Sequence, residues 1–121
     1  MITCSLAAMT MAAQGASVIK VEPPIMGDQM RVLGTQKNGV SAFFHNANRG
    51  KRSLAIDLKS AEGVEAIKKL VARADVLLHN YRPGVMQRLG LGSEVLRKLN
   101  PKLIYIAVTG FGTQGAMADE A

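Results

Sequence analysis

Four short extended runs alternate with helix-length segments along the 121-residue chain, and this order limits the possible folds more than any other feature. The runs are Ser17–Val21, Ser53–Asp57, Val76–Leu78 and Leu103–Val108. Helical patterns occupy Leu6–Gln14, the segment after Ser60, and Ser93–Leu99. A β-α-β-α-β succession predicts an α/β domain with a largely parallel sheet, because parallel neighbours need a crossover, usually helical, between them. Ligands of such sheets bind where the strands end at their carboxyl side.

Local signals place the boundaries. Gly15 suits the position just past a helix C-terminus, and Pro23 and Pro24 stop the first strand because proline cannot donate to a ladder. Residues 22–40 read as a long irregular connection. Ser60 can cap the next helix, with Glu62 near the positive end of its dipole. Val64, Ile67, Leu70, Val71 and Ala74 then form one apolar stripe, while Lys68, Lys69 and Arg73 point outward. Glu65 and Lys69 are spaced for a weak pair one turn apart. Val76–Leu78 has the unbroken apolar character of a strand covered on both faces.

Composition narrows the functional classes. Hydrophobic residues make up 48% and the longest apolar run is too short to span a bilayer, so no membrane partner is expected. The apolar first 16 residues carry no Lys or Arg before Lys20 and therefore lack the basic start of a signal peptide. They read instead as a buried helix. Cys4, the only cysteine, can form no internal disulfide, which fits a reducing, cytoplasmic setting. The net charge is +6, with bases gathered at Arg49, Lys51, Arg52 and Lys59. A solvated basic face explains that charge, and so does an anionic ligand. No aromatic residues are interleaved with these bases to stack on nucleobases, so a phosphate-bearing small molecule fits better than nucleic acid.

Few residues present themselves as chemistry. Gly110-Phe111-Gly112-Thr113-Gln114-Gly115 has the G-x-G-x-x-G spacing of a dinucleotide turn, but six residues remain after it, too few for the helix and acidic partner that such a turn serves. A flexible glycine loop is the plainer reading. His45 and His79 have no companions at metal-ligand spacing, so no metal is expected and both read as structural or surface side chains. Asp57 suits a capping role before Ser60, and Cys4 has no activating base nearby in sequence. Asn80-Tyr81-Arg82-Pro83-Gly84 offers an amide, a ring, a guanidinium and a sharp turn where a buried strand emerges. It reads equally as an adenine and phosphate site, with Arg82 or Arg88 on the phosphate, or as an ordinary strand-to-helix loop.

Several blocks resemble the family III CoA-transferases, a group that includes racemase relatives. They are Gly15 to Pro24 (GASVIKVEPP), Asn48 to Lys59 (NRGKRSLAIDLK), Ala74 to Gly84 (ADVLLHNYRPG), Arg88-Leu89-Gly90, and Asn100 to Tyr105 (NPKLIY) leading to Gly110-Phe111-Gly112. Their order and approximate spacing match the family from residue 6 to about residue 115. The resemblance implies a Rossmann-like large domain that binds coenzyme A, a carboxylate nucleophile that attacks an acyl-CoA thioester, and interlocked homodimers. Covalent exchange through such a nucleophile divides one difficult transfer into easier steps.

By the same resemblance, Ile56 and Lys59 line the adenosine end of CoA, Asn80 and Tyr81 lie beside the pantetheine and adenine, and Arg88 meets a phosphate. Arginine suits that role because its planar fork takes phosphate oxygens two at a time. Pro23 departs from relatives that carry an arginine there. No residue of the sequence matches the nucleophilic aspartate, which the resemblance places beyond Ala121. The expectation is therefore one incomplete CoA-binding α/β domain over residues 1–121, inactive alone and prone to self-association. A stand-alone CoA-binding module, or one subunit of a split enzyme, is the alternative; a nucleic-acid-binding domain is a more distant one.

Overall fold

The computed structural model describes residues 2–118 and 120. The chain forms two compact units, Met1–Asp57 and Leu58–Ala121.

In the first unit, helix α1 spans Ile2–Ala13 and ends at Gly15, whose φ of 99° lies in the left-handed region that glycine enters freely. The helix begins four residues earlier than its sequence pattern suggests. It is also less buried: Cys4 and Ser5 face inward, while Leu6 is 43% exposed. Strand β1, Val18–Glu22, pairs in parallel with a later strand, Lys51–Ala55, in a register running from Val18 opposite Lys51 to Glu22 opposite Ala55.

The connection between these strands is more ordered than its irregular sequence implies. Asp28 accepts from the Met30 amide at 2.8 Å and starts a 3-10 turn over Gln29–Val32. A small antiparallel hairpin of β2, Gln36–Lys37, and β3, Val40–Ser41, follows. Ser41 then caps helix α2, Ala42–Asn48: its hydroxyl donates to the Leu33 carbonyl at 2.6 Å and accepts from the Phe44 amide at 3.2 Å. The parallel partner of β1, Lys51–Ala55, is therefore β4.

Two polar centres hold this unit. The Glu22 carboxylate, on a residue only 3% exposed, accepts four bonds. The donors are Arg31 Nε at 2.8 Å and Nη2 at 2.9 Å, the Asp28 amide at 2.9 Å and the Ser53 hydroxyl at 3.0 Å. Arg31 also lies 3.9 Å over the Phe44 ring, joining α2 to the end of β1. Lys51 does not belong to a solvated basic face as its sequence context suggests. Its Nζ donates to the Ser5 and Ala47 carbonyls and to Asn48 Oδ1 at 2.7, 2.8 and 2.8 Å, and burial together with Lys20 pushes its pKa down to about 8.

In the second unit, Ser60 caps helix α3, Ala61–Val71, by accepting from the Gly63 amide at 3.0 Å. Gly63, Ile67 and Val71 are its buried face; Leu70 is 37% exposed, so the apolar stripe is narrower than its spacing implies. The surface pair is Glu65 with Lys68 at 2.7 Å, one residue short of the expected Lys69. Strand β5, Val76–His79, is followed by the short helix α4, Val85–Arg88, and by α5, Ser93–Leu99. Strand β6, Ile104–Ala107, returns parallel to β5, with Val76 opposite Ile104 and His79 opposite Ala107.

Met86, Leu91, Leu96 and Leu103 form the core with the buried side of α3, each at most 5% exposed. The Asn100 amide donates to the Val71 and Ala74 carbonyls at 3.0 and 2.8 Å, satisfying acceptors that the end of α3 leaves open. The expected parallel α/β pairing is found. The expected burial of β5 on both faces is not: Val76 is 37% exposed, and a two-stranded ladder leaves both its faces and edges only partly covered. Among the described residues no helix is long and apolar enough to cross a membrane.

Candidate functional site

Every side chain of interest in the second unit depends on where β5 and β6 stop. His79 ends β5, and its carbonyl accepts from the Val108 amide at 2.9 Å, so the two parallel strands close together at their carboxyl side. The Tyr81 amide donates to His79 Nδ1 at 3.2 Å, which folds the exit from the strand back on the imidazole. Because Nδ1 accepts, the ring proton of the neutral imidazole sits on Nε2. The ring lies tilted to Tyr81 at 6.1 Å and edge-on to Tyr105 at 5.2 Å. Burial pushes its pKa below the ordinary histidine value and favours this neutral form.

Asn80, Tyr81 and Arg82 are exposed on the turn that follows. Gly84 then takes a φ of 78° as the cap of α4, and Arg88 closes that helix with its amide donating to the Gly84 carbonyl at 3.1 Å. The Arg88 side chain folds back over the turn: a first side-chain carbon at Gly84 would stand 3.0 Å from Arg88 Nη1. Among the described residues Arg88 has no carboxylate partner. A cation held against a turn with an exposed amide and ring is chemistry suited to a phosphate with an aromatic or amide group beside it.

The structure thus brings Asn80, Tyr81 and Arg88 onto one strand-turn-helix segment. Lys59 stands one residue before the Ser60 cap in the same unit and is exposed. Ile56 belongs to the first unit, just after β4, and its amide donates to the Glu22 carbonyl at 2.9 Å. A shallow cleft in the first unit, bordered by Thr35, Lys37, Val40 and His45, includes none of these residues.

The other candidates fare differently. Cys4 is buried, and that burial raises its thiol pKa, the opposite of what a nucleophile needs. No helix follows Gly110–Gly115 among the described residues. No group of three or more His, Cys, Asp or Glu side chains among them could hold a metal ion.

Sequence reasoning treated His79 as structural or surface and passed over Thr109. Both keep a buried polar atom without a partner, His79 Nε2 and Thr109 Oγ1. Strand alternation puts Leu77 with His79 on one face of β5 and Tyr105 with Ala107 on one face of β6, but it gives no sign of an unmet atom, and Thr109 lies beyond the end of β6.

The succinate–glutarate CoA-transferase of Agrobacterium fabrum is 44% identical over 95% of this chain and 30% of its own length. The acetyl-CoA:oxalate CoA-transferase of Acetobacter aceti is 49% identical over 86% of this chain and 27% of its own length. The chain thus spans less than a third of these relatives. A crystal structure of a CaiB/BaiF family protein from Brucella suis superposes with a TM-score of 0.90 at 42% identity, covering 97% of this chain and 32% of that one. The model of the CoA-transferase family III matches residues 1–121, from one end of the sequence to the other, and the chain belongs to that family.

Proposed function

We propose that this chain is the N-terminal, coenzyme A-binding portion of an enzyme that moves CoA between an acyl-CoA and a carboxylic acid. The observation that carries this reading is the Asn80–Gly84 turn at the carboxyl end of β5, with the Arg88 guanidinium folded back over it. Arg88 would hold a CoA phosphate, Tyr81 would stack on an apolar or aromatic part of the ligand, and Asn80 would hydrogen-bond the arm. Lys59 would line the adenosine end, the role that the sequence resemblance also gives Ile56 of the first unit. CoA supplies the thioester chemistry; these residues only bind and orient it. No residue of the chain is assigned the nucleophile, so transfer by these 121 residues alone is not expected.

The test is a thermal melt with and without CoA. At a hundredfold excess over Kd, binding to the folded state alone adds about 2.7 kcal/mol. The wild type is expected to shift upward. Arg88→Ala should lose most of the shift, and Gly84→Ala, which forces a side chain into a left-handed φ at a cost of about 1–2 kcal/mol and pushes the guanidinium aside by a few tenths of an ångström, should lose part of it. Mass spectrometry after incubation with an acyl-CoA should find no covalent adduct. An unshifted wild type, or variants that respond like it, would reject the assignment.

We also propose that the chain self-associates. Ile25, Met26 and Val32 of the first unit are 105%, 81% and 72% exposed, and apolar surface of this kind commonly marks an interface. Light scattering is expected to give a mass above 12.9 kDa that falls towards it on dilution. A constant monomer mass at high concentration would refute this.

A further inference from the structure

Strain and exposure coincide at the tip of one turn in the first unit. Ile25 takes a φ of 67°, in the left-handed region where a branched side chain is an outlier, and it is fully exposed with Met26 beside it. Two bonds close the turn over residues 23–27: the Met26 amide donates to the Pro24 carbonyl at 2.7 Å, and the Gly27 amide to the Pro23 carbonyl at 3.1 Å. The base of the turn is fixed. The Glu22 carboxylate accepts from the Asp28 amide and from Arg31, and Asp28 pairs with Lys20. Gly27 lies so close to Arg31 that a first side-chain carbon there would stand 2.7 Å from Arg31 Cδ. Pro23 and Pro24 stiffen the approach. Strain of this kind persists only where the surrounding structure imposes it, and it concentrates at functional sites. The result is a rigid apolar finger that needs little further ordering on docking.

The same unit holds a concavity to match. The β2–β3 hairpin and the first turn of α2 border a shallow cleft of about 410 Å³. Lys37 opposes Val40 in the hairpin, and His45 stands one turn past Ala42 on the helix. The cleft wall is mostly apolar, and Val40 is exposed in it. A space of that size is small for a ligand site and suits one or two aliphatic side chains rather than a folded element. Neither Ile25 nor Met26 borders the cleft of its own chain, so another molecule must bring finger and cleft together. Both features occur on every copy, and a twofold arrangement makes the contact twice. Val32, exposed on the segment between them, extends the apolar surface.

We propose that the turn over residues 23–27 of one copy inserts Ile25 and Met26 into the cleft beside Val40 and His45 of a second copy, and that the second copy does the same in return. This rests on the self-association proposed above and adds to it the surface through which the copies meet. Two such contacts are small for a permanent dimer, so the pair dissociates on dilution.

Sedimentation velocity over a dilution series reads the dimer dissociation constant. Ile25→Gly removes the side chain and accepts the left-handed φ, and Val40→Lys puts a charge in the cleft. Each should raise the dissociation constant about tenfold or more, the effect of losing one buried aliphatic side chain. At concentrations where every variant is monomeric, the melting temperature of Ile25→Gly should hold or rise, because strain is relieved. A merely structural turn predicts a lowered one. Met26→Cys and Val40→Cys chains, mixed under mild oxidation, should form a disulfide joining positions 26 and 40 of different copies, read by mass spectrometry; Cys4 is buried and stays in place. A wild-type dimer that neither variant weakens, or disulfides only between two fingers, would overturn the contact while leaving self-association intact. A wild type that stays monomeric would reject self-association and this contact with it.

Discussion

Glu22→Ala should lower the stability of the first unit by about 3 kcal/mol, because it removes the common acceptor of four donors. The Asp28 amide and the Ser53 hydroxyl lose their bonds, and Arg31 loses its bidentate partner. Arg31 itself is 43% exposed and can rehydrate, which keeps the cost towards the lower end of the range for broken buried pairs. The Arg31 hydrogen bonds, followed by the Asp28 amide and Ser53, hold the Glu22 carboxyl at about 2, against 4.5 ordinarily, even though burial opposes ionisation. A folded-state pKa below the unfolded one means that the contribution is complete above about pH 4.5 and is lost as the pH falls towards 2. Urea unfolding of wild type and variant, followed by circular dichroism, should show a gap at neutral pH that closes across that window. A gap that stays constant down to about pH 2 would mean that the ionised carboxylate is not what stabilises the unit.

Leu96→Ala should destabilise the second unit by about 3 kcal/mol. Leu96 is 0% exposed on the inner side of α5, which packs against α3, so truncation removes buried methyl groups and leaves a cavity. Leu99, on the same helix, is 49% exposed. Its replacement by alanine should change stability by no more than about 0.5 kcal/mol. The comparison holds helix propensity constant and varies burial alone. Similar urea midpoints for the two variants would contradict the core described for this unit.

The elements that the sequence disclosed were those with their own local cause. Ser60 with Glu62 announced α3, α5 fell on Ser93–Leu99 as expected, and Gly15 marked the end of α1. The helices α2 and α4 were missed, α4 because four residues are too few for periodicity to register. What holds α2 is a serine whose hydroxyl reaches back eight residues to Leu33, a bond that no local window contains. Lys51 misled for a related reason: its acceptors at Ser5, Ala47 and Asn48 are brought together only by folding. At the candidate site, the turn from Asn80 to Gly84 was legible as a motif. The unmet atoms of His79 and Thr109 were not, since satisfaction is a property of neighbours across a ladder rather than of a position in the chain.

The rings around His79 also make the site its own optical reporter. The sequence contains no tryptophan and two tyrosines, Tyr81 and Tyr105, and both lie against that imidazole. The tyrosine emission of the chain therefore originates at the carboxyl ends of β5 and β6 and nowhere in the first unit. A ligand that settles there will alter the emission without any added label, and a change confined to residues 2–57 can be followed only by other means.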